Sequence, residues 1–171
     1  MIKPLAVLIG PPGAGKTTVG TRVAQLAGVD FADTDAIVEQ RLGKSIPDIF
    51  IEDGEPTFRE HERQVVRETI ETHTGVVALG GGAVVNDETR QLLRSHRVVF
   101  LTVGLAAASP RVGFDRSRPL LLGSPRKQWL HLFNQRLPLY TEVADITVET
   151  DELTIEEAAQ VVHEQLQRMD D

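Results

Sequence analysis

The chain has 171 residues, 41% apolar and 25% charged, the balance of one ordinary soluble domain, large enough to bury roughly 70% of the surface its unfolded form would expose. A net charge of −7 argues against a nucleic-acid partner, because duplex binding draws most of its affinity from cations set against phosphates. Cysteine is absent and the five histidines are scattered, which excludes disulfides and thiolate metal sites and leaves no histidine pair at ligand spacing.

The N-terminal stretch MIKPLAVLIG runs straight into a glycine-rich loop, leaving no room for a signal or transit peptide, and no apolar run approaches membrane-spanning length. The expected address is the cytoplasm. A continuous apolar run at 5–9 predicts a strand covered on both faces, followed by a helix at about 16–27. A weak strand at 30–31 precedes helices at 34–42 and 54–73. Strands at 76–79 and 98–103 flank a helix at 86–96. Helices at 105–112 and 126–137, a weak strand at 145–149 and a helix at 155–169 complete the chain. The last helix opens with Thr154-Ile155-Glu156-Glu157, a capping-box pattern, and Ile155, Ala158, Ala159, Val162, Leu166 and Met169 then fall on one face. Strands alternating with helices predict one α/β domain over 1–171, a mainly parallel sheet with helices on both sides. Between two of the helices, GFDRSRPLLLG (113–123) reads either as a mobile flap or as a plain connecting loop.

Gly10-Pro11-Pro12-Gly13-Ala14-Gly15-Lys16-Thr17 fills the pattern G-x-x-x-x-G-K-[ST] between a buried strand and a helix. Glycines let successive N–H groups turn inward at a positive helix end, making an anion nest. In that pattern Lys16 reaches the β- and γ-phosphates and the Thr17 hydroxyl ligates Mg²⁺. A nucleoside triphosphate is the expected ligand. No N-K-x-D or D-x-x-G string supports a GTPase, and neither VVAL nor VVFLTV ends in the Asp-Glu of a motor or transporter ATPase. A short chain with an arginine-bearing flap fits a small-molecule kinase, whose site must exclude water to avoid hydrolysing ATP.

The stretches GPPGAGKTTVG, FADTDAIVEQRLGKSIPDIF, DGEPTFREHE, ALGGGAVV, SRPLL and QRLPLYTEVAD occur in an order and spacing similar to those of the shikimate kinases. The chain resembles that family over nearly its whole length, and the D-T-D, F-R-x-x-E and L-G-G-G combination is narrower than the phosphate loop alone. The resemblance implies a nucleoside-monophosphate-kinase-like fold: five parallel strands in order 2-3-1-4-5, a substrate-binding part at about 34–62 and a mobile lid at about 112–124. It implies transfer of the γ-phosphate of ATP to the 3-hydroxyl of shikimate, within aromatic amino acid biosynthesis through chorismate, with Mg²⁺ as cofactor. The implied partners are ATP and shikimate, with no nucleic acid or membrane, and the chain is expected to act as a monomer.

Residue by residue, the resemblance gives Gly13, Ala14, Gly15, Lys16, Thr17 and Thr18 to ATP, with Arg111 near adenine and the lid residue Arg118 on the transferring phosphates. Lys16, Asp35 and Arg118 are the implied catalytic residues, and Thr17 and Asp33 the metal-holding pair, Asp33 through water. Asp35, Arg59, Gly80, Gly81, Gly82 and Arg136 are assigned to shikimate. Guanidinium groups suit its carboxylate, which they grip bidentately. Each assignment has a plainer reading beside it. Asp33 or Thr34 is placed to cap a helix, Glu55 and Glu62 flank Arg59 at helical pairing distance, the glycines make a turn, and Arg118 is a solvated loop charge. Ile46, Phe50, Phe58 and Pro119 are expected as apolar walls of the ring pocket, core packing being the alternative for the first three. One stretch departs from the family pattern. Glu149-Thr150-Asp151-Glu152-Leu153 is acidic where the family sets arginine or proline against adenine, which leaves the base contact open. The rival readings are a gluconate or nucleoside monophosphate kinase, or a non-catalytic ATP-binding regulator.

Overall fold

The structure, a computed structural model, describes residues 3–112 and 124–171. Among these, five strands alternate with eight α-helices: β1 (Ala6–Ile9), α1 (Lys16–Ala27), β2 (Phe31–Asp33), α2 (Thr34–Leu42), α3 (Ile46–Glu52), α4 (Glu55–Thr72), β3 (Val76–Ala78), α5 (Asp87–Leu93), β4 (Val98–Thr102), α6 (Leu105–Val112), α7 (Pro125–Val143), β5 (Ile146–Glu149) and α8 (Ile155–Asp170). The sheet runs β2-β3-β1-β4-β5 with every pairing parallel, the order that the family resemblance implies. In β1, Leu8 lies opposite Ala78 on one side and Val99 on the other.

Side chains alternate across a strand, and that alternation divides the core. Ala6 and Leu8 join the layer formed with α1 and α8, through Val19, Val23, Ala158 and Val162. Val7 and Ile9 face the other way, onto Val66 and Ile70 of α4, Leu93 of α5 and Tyr140 of α7. A strand buried on both faces has to be apolar throughout, which is why β1 shows no polar alternation. A third cluster, Val38, Ile49, Phe58 and Val65, ties α2, α3 and α4 together, with Ile46 and Phe50 packed against it. Phe50 and Phe58 lie 4.8 Å apart between ring centroids, so these residues contribute to that packing.

Two helices differ from the sequence reading. Residues 46–52 form α3, where no element is expected. Ser45 caps it by accepting from the Asp48 amide at 3.3 Å, and Pro47 sits in its first turn, where no N–H is needed. Helix α7 continues past Leu137 to Val143 although Pro138 lies inside it. A proline deletes its own backbone bond, but Tyr140 and Val143, buried beyond it, hold the last turns on the sheet. The expected capping box of α8 is present, with Thr154 and Glu157 exchanging two bonds of 3.1 Å.

The predicted flap at 113–123, with Arg118 and Pro119, lies outside the described residues. Among the described residues no helix is long and apolar enough to cross a membrane.

Candidate active site

The phosphate loop leaves the carboxyl end of β1, between β3 and β4, where open parallel sheets receive ligands. Gly13 and Gly15 hold φ values of 87° and 88°, a left-handed backbone that side chains disfavour. Gly15 caps α1 with no side-chain hydrogen bond, so the first amides of the helix face outward with their dipole. The Lys16 ammonium donates to the carbonyls of Gly10 at 2.7 Å and Pro11 at 3.1 Å. Burial pulls its pKa down to about 8; Asp35 and Asp33 act against that shift, while Arg136 adds to it.

A cleft of about 660 Å³ opens over this loop, lined by Gly13, Ala14, Gly15, Lys16, Thr17, Thr18, Asp33, Asp35 and Arg111. Every predicted nucleotide residue within the described chain therefore borders one space. Arg111 forms part of its wall and donates to the Gly13 carbonyl at 3.0 Å. Thr150, Leu153, Ile155 and Ala158 line the cleft as well. The acidic loop thus offers it the apolar side chain of Leu153, because the buried Thr150 donates its hydroxyl to the Thr102 carbonyl at 3.1 Å. The Asp151 carboxylate is engaged elsewhere, accepting from the Gly104 amide at 2.6 Å.

Asp33 ends β2 and caps α2, and its two oxygens do different things. Oδ1 accepts from the amides of Asp35 at 2.9 Å and Ala36 at 3.4 Å, while Oδ2 accepts from the Thr17 hydroxyl at 2.7 Å. The plain capping role and a ligand role are therefore compatible. Thr17 and Asp33 present only hard oxygens on the rim of the cleft, and no group of three His, Cys, Asp or Glu suited to a metal occurs among the described residues. That donor set fits Mg²⁺, which is commonly held by one or two protein ligands together with phosphate oxygens and waters.

Asp35 is half-buried as a residue, but its Oδ1 is enclosed and has no hydrogen-bond partner among the described residues. Burial, reinforced by Glu62 and Asp33 and partly offset by Lys16, pushes its pKa up to about 6. The room for this carboxylate comes from Gly80: a Cβ there would lie 2.5 Å from Asp35 Oδ1. A Cβ on Gly82 would lie 2.6 Å from both terminal nitrogens of Arg59. None of Gly80, Gly81 or Gly82 has positive φ, so the triple glycine supplies space for two charged side chains.

Arg59 donates to Glu62 at 2.8 Å and to Glu55 at 3.5 Å, as its helical spacing predicts. Its side chain remains 30% exposed while that of Glu62 is 5% exposed. Burial pushes the Glu62 carboxyl up against the pull of Arg59 and Arg136. Arg136 lies on α7 close enough for its charge to be felt at Lys16, Glu62 and Tyr140. Two side chains with no role in the sequence reading also reach this region. Trp129 donates its indole N–H to the Pro12 carbonyl at 3.0 Å, and Tyr140 donates its hydroxyl to the Gly81 carbonyl at 2.5 Å. Their spacing from Arg136, seven residues before and four after, is the signal that exposes them.

A phosphate-binding loop facing a separate corner of acid and arginine, both at one end of a parallel sheet, defines a P-loop kinase of the nucleoside-monophosphate-kinase type. The model of the family described as "Shikimate kinase" matches residues 12–167. The chain belongs to the shikimate kinase family. A shikimate kinase from Thermobifida fusca (strain YX) is 56% identical over 164 residues, 96% of this chain and 95% of that protein. The shikimate kinase from Acinetobacter baumannii in complex with shikimate superposes with a TM-score of 0.89 and 36% identity, covering 99% of this chain and 95% of that one. A gluconokinase from Sinorhizobium meliloti 1021 shares the fold alone, at 18% identity and a TM-score of 0.57 over 96% of this chain and 91% of its own.

Proposed function

We propose that the chain transfers the γ-phosphate of ATP to the 3-hydroxyl of shikimate, giving shikimate 3-phosphate and ADP in aromatic amino acid biosynthesis through chorismate. The observation that carries this reading is Asp35 Oδ1, an enclosed acceptor without a donor among the described residues, on the side of the nucleotide cleft where Gly80 makes room for it. A substrate hydroxyl is the donor such an oxygen calls for.

In this reading the loop amides of Gly13, Ala14, Gly15, Lys16, Thr17 and Thr18 cradle the phosphates. Lys16 exchanges its loop carbonyls for phosphate oxygens, and Arg111 borders the nucleotide. Thr17 and Asp33, the latter through water, would hold Mg²⁺, which neutralises charge on the β- and γ-oxygens when bound. The carboxylate of shikimate pairs with Arg59 and Arg136, and Glu62 holds Arg59 in the required orientation. Gly80, Gly81 and Gly82 let the ring approach. Asp35 accepts a hydrogen bond from the attacking hydroxyl and aims it. Because the transfer passes through a loose transition state, aiming contributes more than proton removal. Arg118, from the segment outside the described residues, supplies positive charge to the transferring group.

Residues at about 34–62 form the acceptor-binding part of a single domain, about 112–124 act as a lid, and the protein works as a cytoplasmic monomer. The test is a coupled turnover assay with ATP against a panel of shikimate, gluconate and nucleoside monophosphates, with and without Mg²⁺. Turnover confined to shikimate and dependent on the metal is expected. Phosphorylation of gluconate or of a nucleoside monophosphate in its place would overturn the reading.

A further inference from the structure

Trp129, Phe133, Arg136 and Tyr140 recur at intervals of four, three and four residues, which places them on one face of α7. The two outer residues of this row each grip a different ligand-binding segment: the Trp129 indole N–H binds the Pro12 carbonyl of the phosphate loop, and the Tyr140 hydroxyl binds the Gly81 carbonyl of the triple-glycine turn. Those two segments also meet directly, since a Cβ on Gly81 would lie 3.0 Å from Pro12 Cδ. The contacts close a circuit from α7 to the loop, to the turn and back to α7.

Both ends of the clamp are buried and stacked on a neighbouring ring. Trp129 is 6% exposed and stacks on Phe133 at 5.2 Å and 13°. Tyr140 is fully buried and stacks on Phe100 of β4 at 4.9 Å and 26°. Arg136 sits inside the circuit, beside a hollow of about 30 Å³ shared with Pro11, Pro12, Trp129, Phe133 and Tyr140. That hollow is too small for either substrate, and core packing alone would not require an indole N–H and a phenol O–H, each aimed at the carbonyl of a ligand-binding loop. We propose that Trp129 and Tyr140 are positioning residues that hold Arg136 in register with the phosphate loop. The proposal rests on Arg136 binding the acceptor carboxylate. Its consequence is that a contact made only to the phosphate loop governs affinity for the acceptor.

The test compares the parent chain with Trp129→Phe and Tyr140→Phe, which remove one donor each and keep an aromatic ring, a smaller one at 129, and with Leu130→Ala, a control at a side chain 42% exposed. Calorimetry gives the Kd for shikimate without nucleotide, steady-state kinetics separate KM from kcat, and melting curves verify folding. Each phenylalanine variant is expected to raise the shikimate Kd and KM about five-fold, the effect of one hydrogen bond, with kcat at saturation within about two-fold of the parent. Leu130→Ala is expected to match the parent. If the parent binds shikimate and both phenylalanine variants bind it equally well, or if kcat falls while KM is unchanged, the clamp is overturned. If the parent itself fails to bind shikimate, the reading of the cavity falls and the clamp with it, a result visible before any substitution. Should Trp129→Phe fail to fold, Trp129→Leu, which also removes the indole donor to Pro12, takes its place, because Tyr140 touches the acceptor side directly.

Discussion

Asp35 occupies the volume that a side chain on Gly80 would fill, with only 2.5 Å between Asp35 Oδ1 and a Cβ built on that glycine. Gly80 has no positive φ, so alanine is compatible with its backbone and incompatible only with its neighbour. Gly80→Ala is therefore expected to push the carboxylate aside and leave the fold intact. A misplacement of about 1 Å at a reacting group costs about a hundred-fold in rate. Steady-state assays should show kcat lower by about that factor, with nucleotide affinity within about two-fold of the parent. Undiminished turnover would show that the position of Asp35 does not matter.

Asp35→Asn is expected to keep nucleotide binding and nearly abolish transfer, because an amide cannot orient the hydroxyl as a carboxylate does. The same variant has a pH signature in the ligand-free, chelator-treated protein. The folded pKa of Asp35 stands at about 6, above the unfolded value of 3.8. Below about pH 4 both states hold the proton and the carboxyl carries no charge penalty. Between about 4 and 6 the folded state retains a proton that the unfolded state has released, so stability falls as pH rises. Above about 6 the full penalty of enclosing the charge is present, of order 3 kcal/mol. The melting-temperature gain of Asp35→Asn over the parent should therefore be smallest below pH 4 and level off above about pH 6. A difference independent of pH would contradict the burial of this carboxyl.

Asp33 gives a means of separating structure from metal binding. Asparagine caps helices about as well as aspartate, so Asp33→Asn should retain the bonds from the Asp35 and Ala36 amides. The melting temperature is expected to stay within about 2 °C of the parent, on a cost of a few tenths of a kcal/mol. The negative charge near Thr17 is lost, so the Mg²⁺ concentration giving half-maximal rate should rise about ten-fold or more. A metal titration of initial rates tests this; an unchanged midpoint would remove Asp33 from the metal site.

Arg136→Ala should weaken shikimate binding by about 2–5 kcal/mol, the scale for taking one partner from an enclosed charged pair. Calorimetric titration reads this directly as a Kd at least about thirty-fold higher. An unchanged Kd would move the acceptor carboxylate elsewhere.

The local signals in the chain explain what could be read before the structure. The phosphate loop, the bounds of α1 and α2 and the capping box of α8 depend on contacts a few residues apart, so glycine, threonine and aspartate spacing defines them. Helix α3 is short and has a proline at its second position, and its stability comes from Ile49 packing onto Phe58 and Val65, partners that spacing cannot identify. Pro138 falsely signals an end to α7, because the burial of Tyr140 that overrides it is a tertiary fact. At the site, Asp33 and Asp35 are legible as a pair, yet the split between the oxygens of Asp33 requires Thr17 to be brought in from another helix. The role of the triple glycine as space for Asp35 and Arg59 is likewise invisible in one dimension.

The Lys16 ammonium resting on the carbonyls of Gly10 and Pro11 has a kinetic consequence. With its cation supplied internally, the loop keeps its curl before any anion arrives. Admitting the nucleotide then requires one lysine to swing from main-chain oxygens to phosphate oxygens. Side-chain rotation is fast compared with loop rearrangement, so the exchange at Lys16 itself adds no slow step to the capture of the nucleotide.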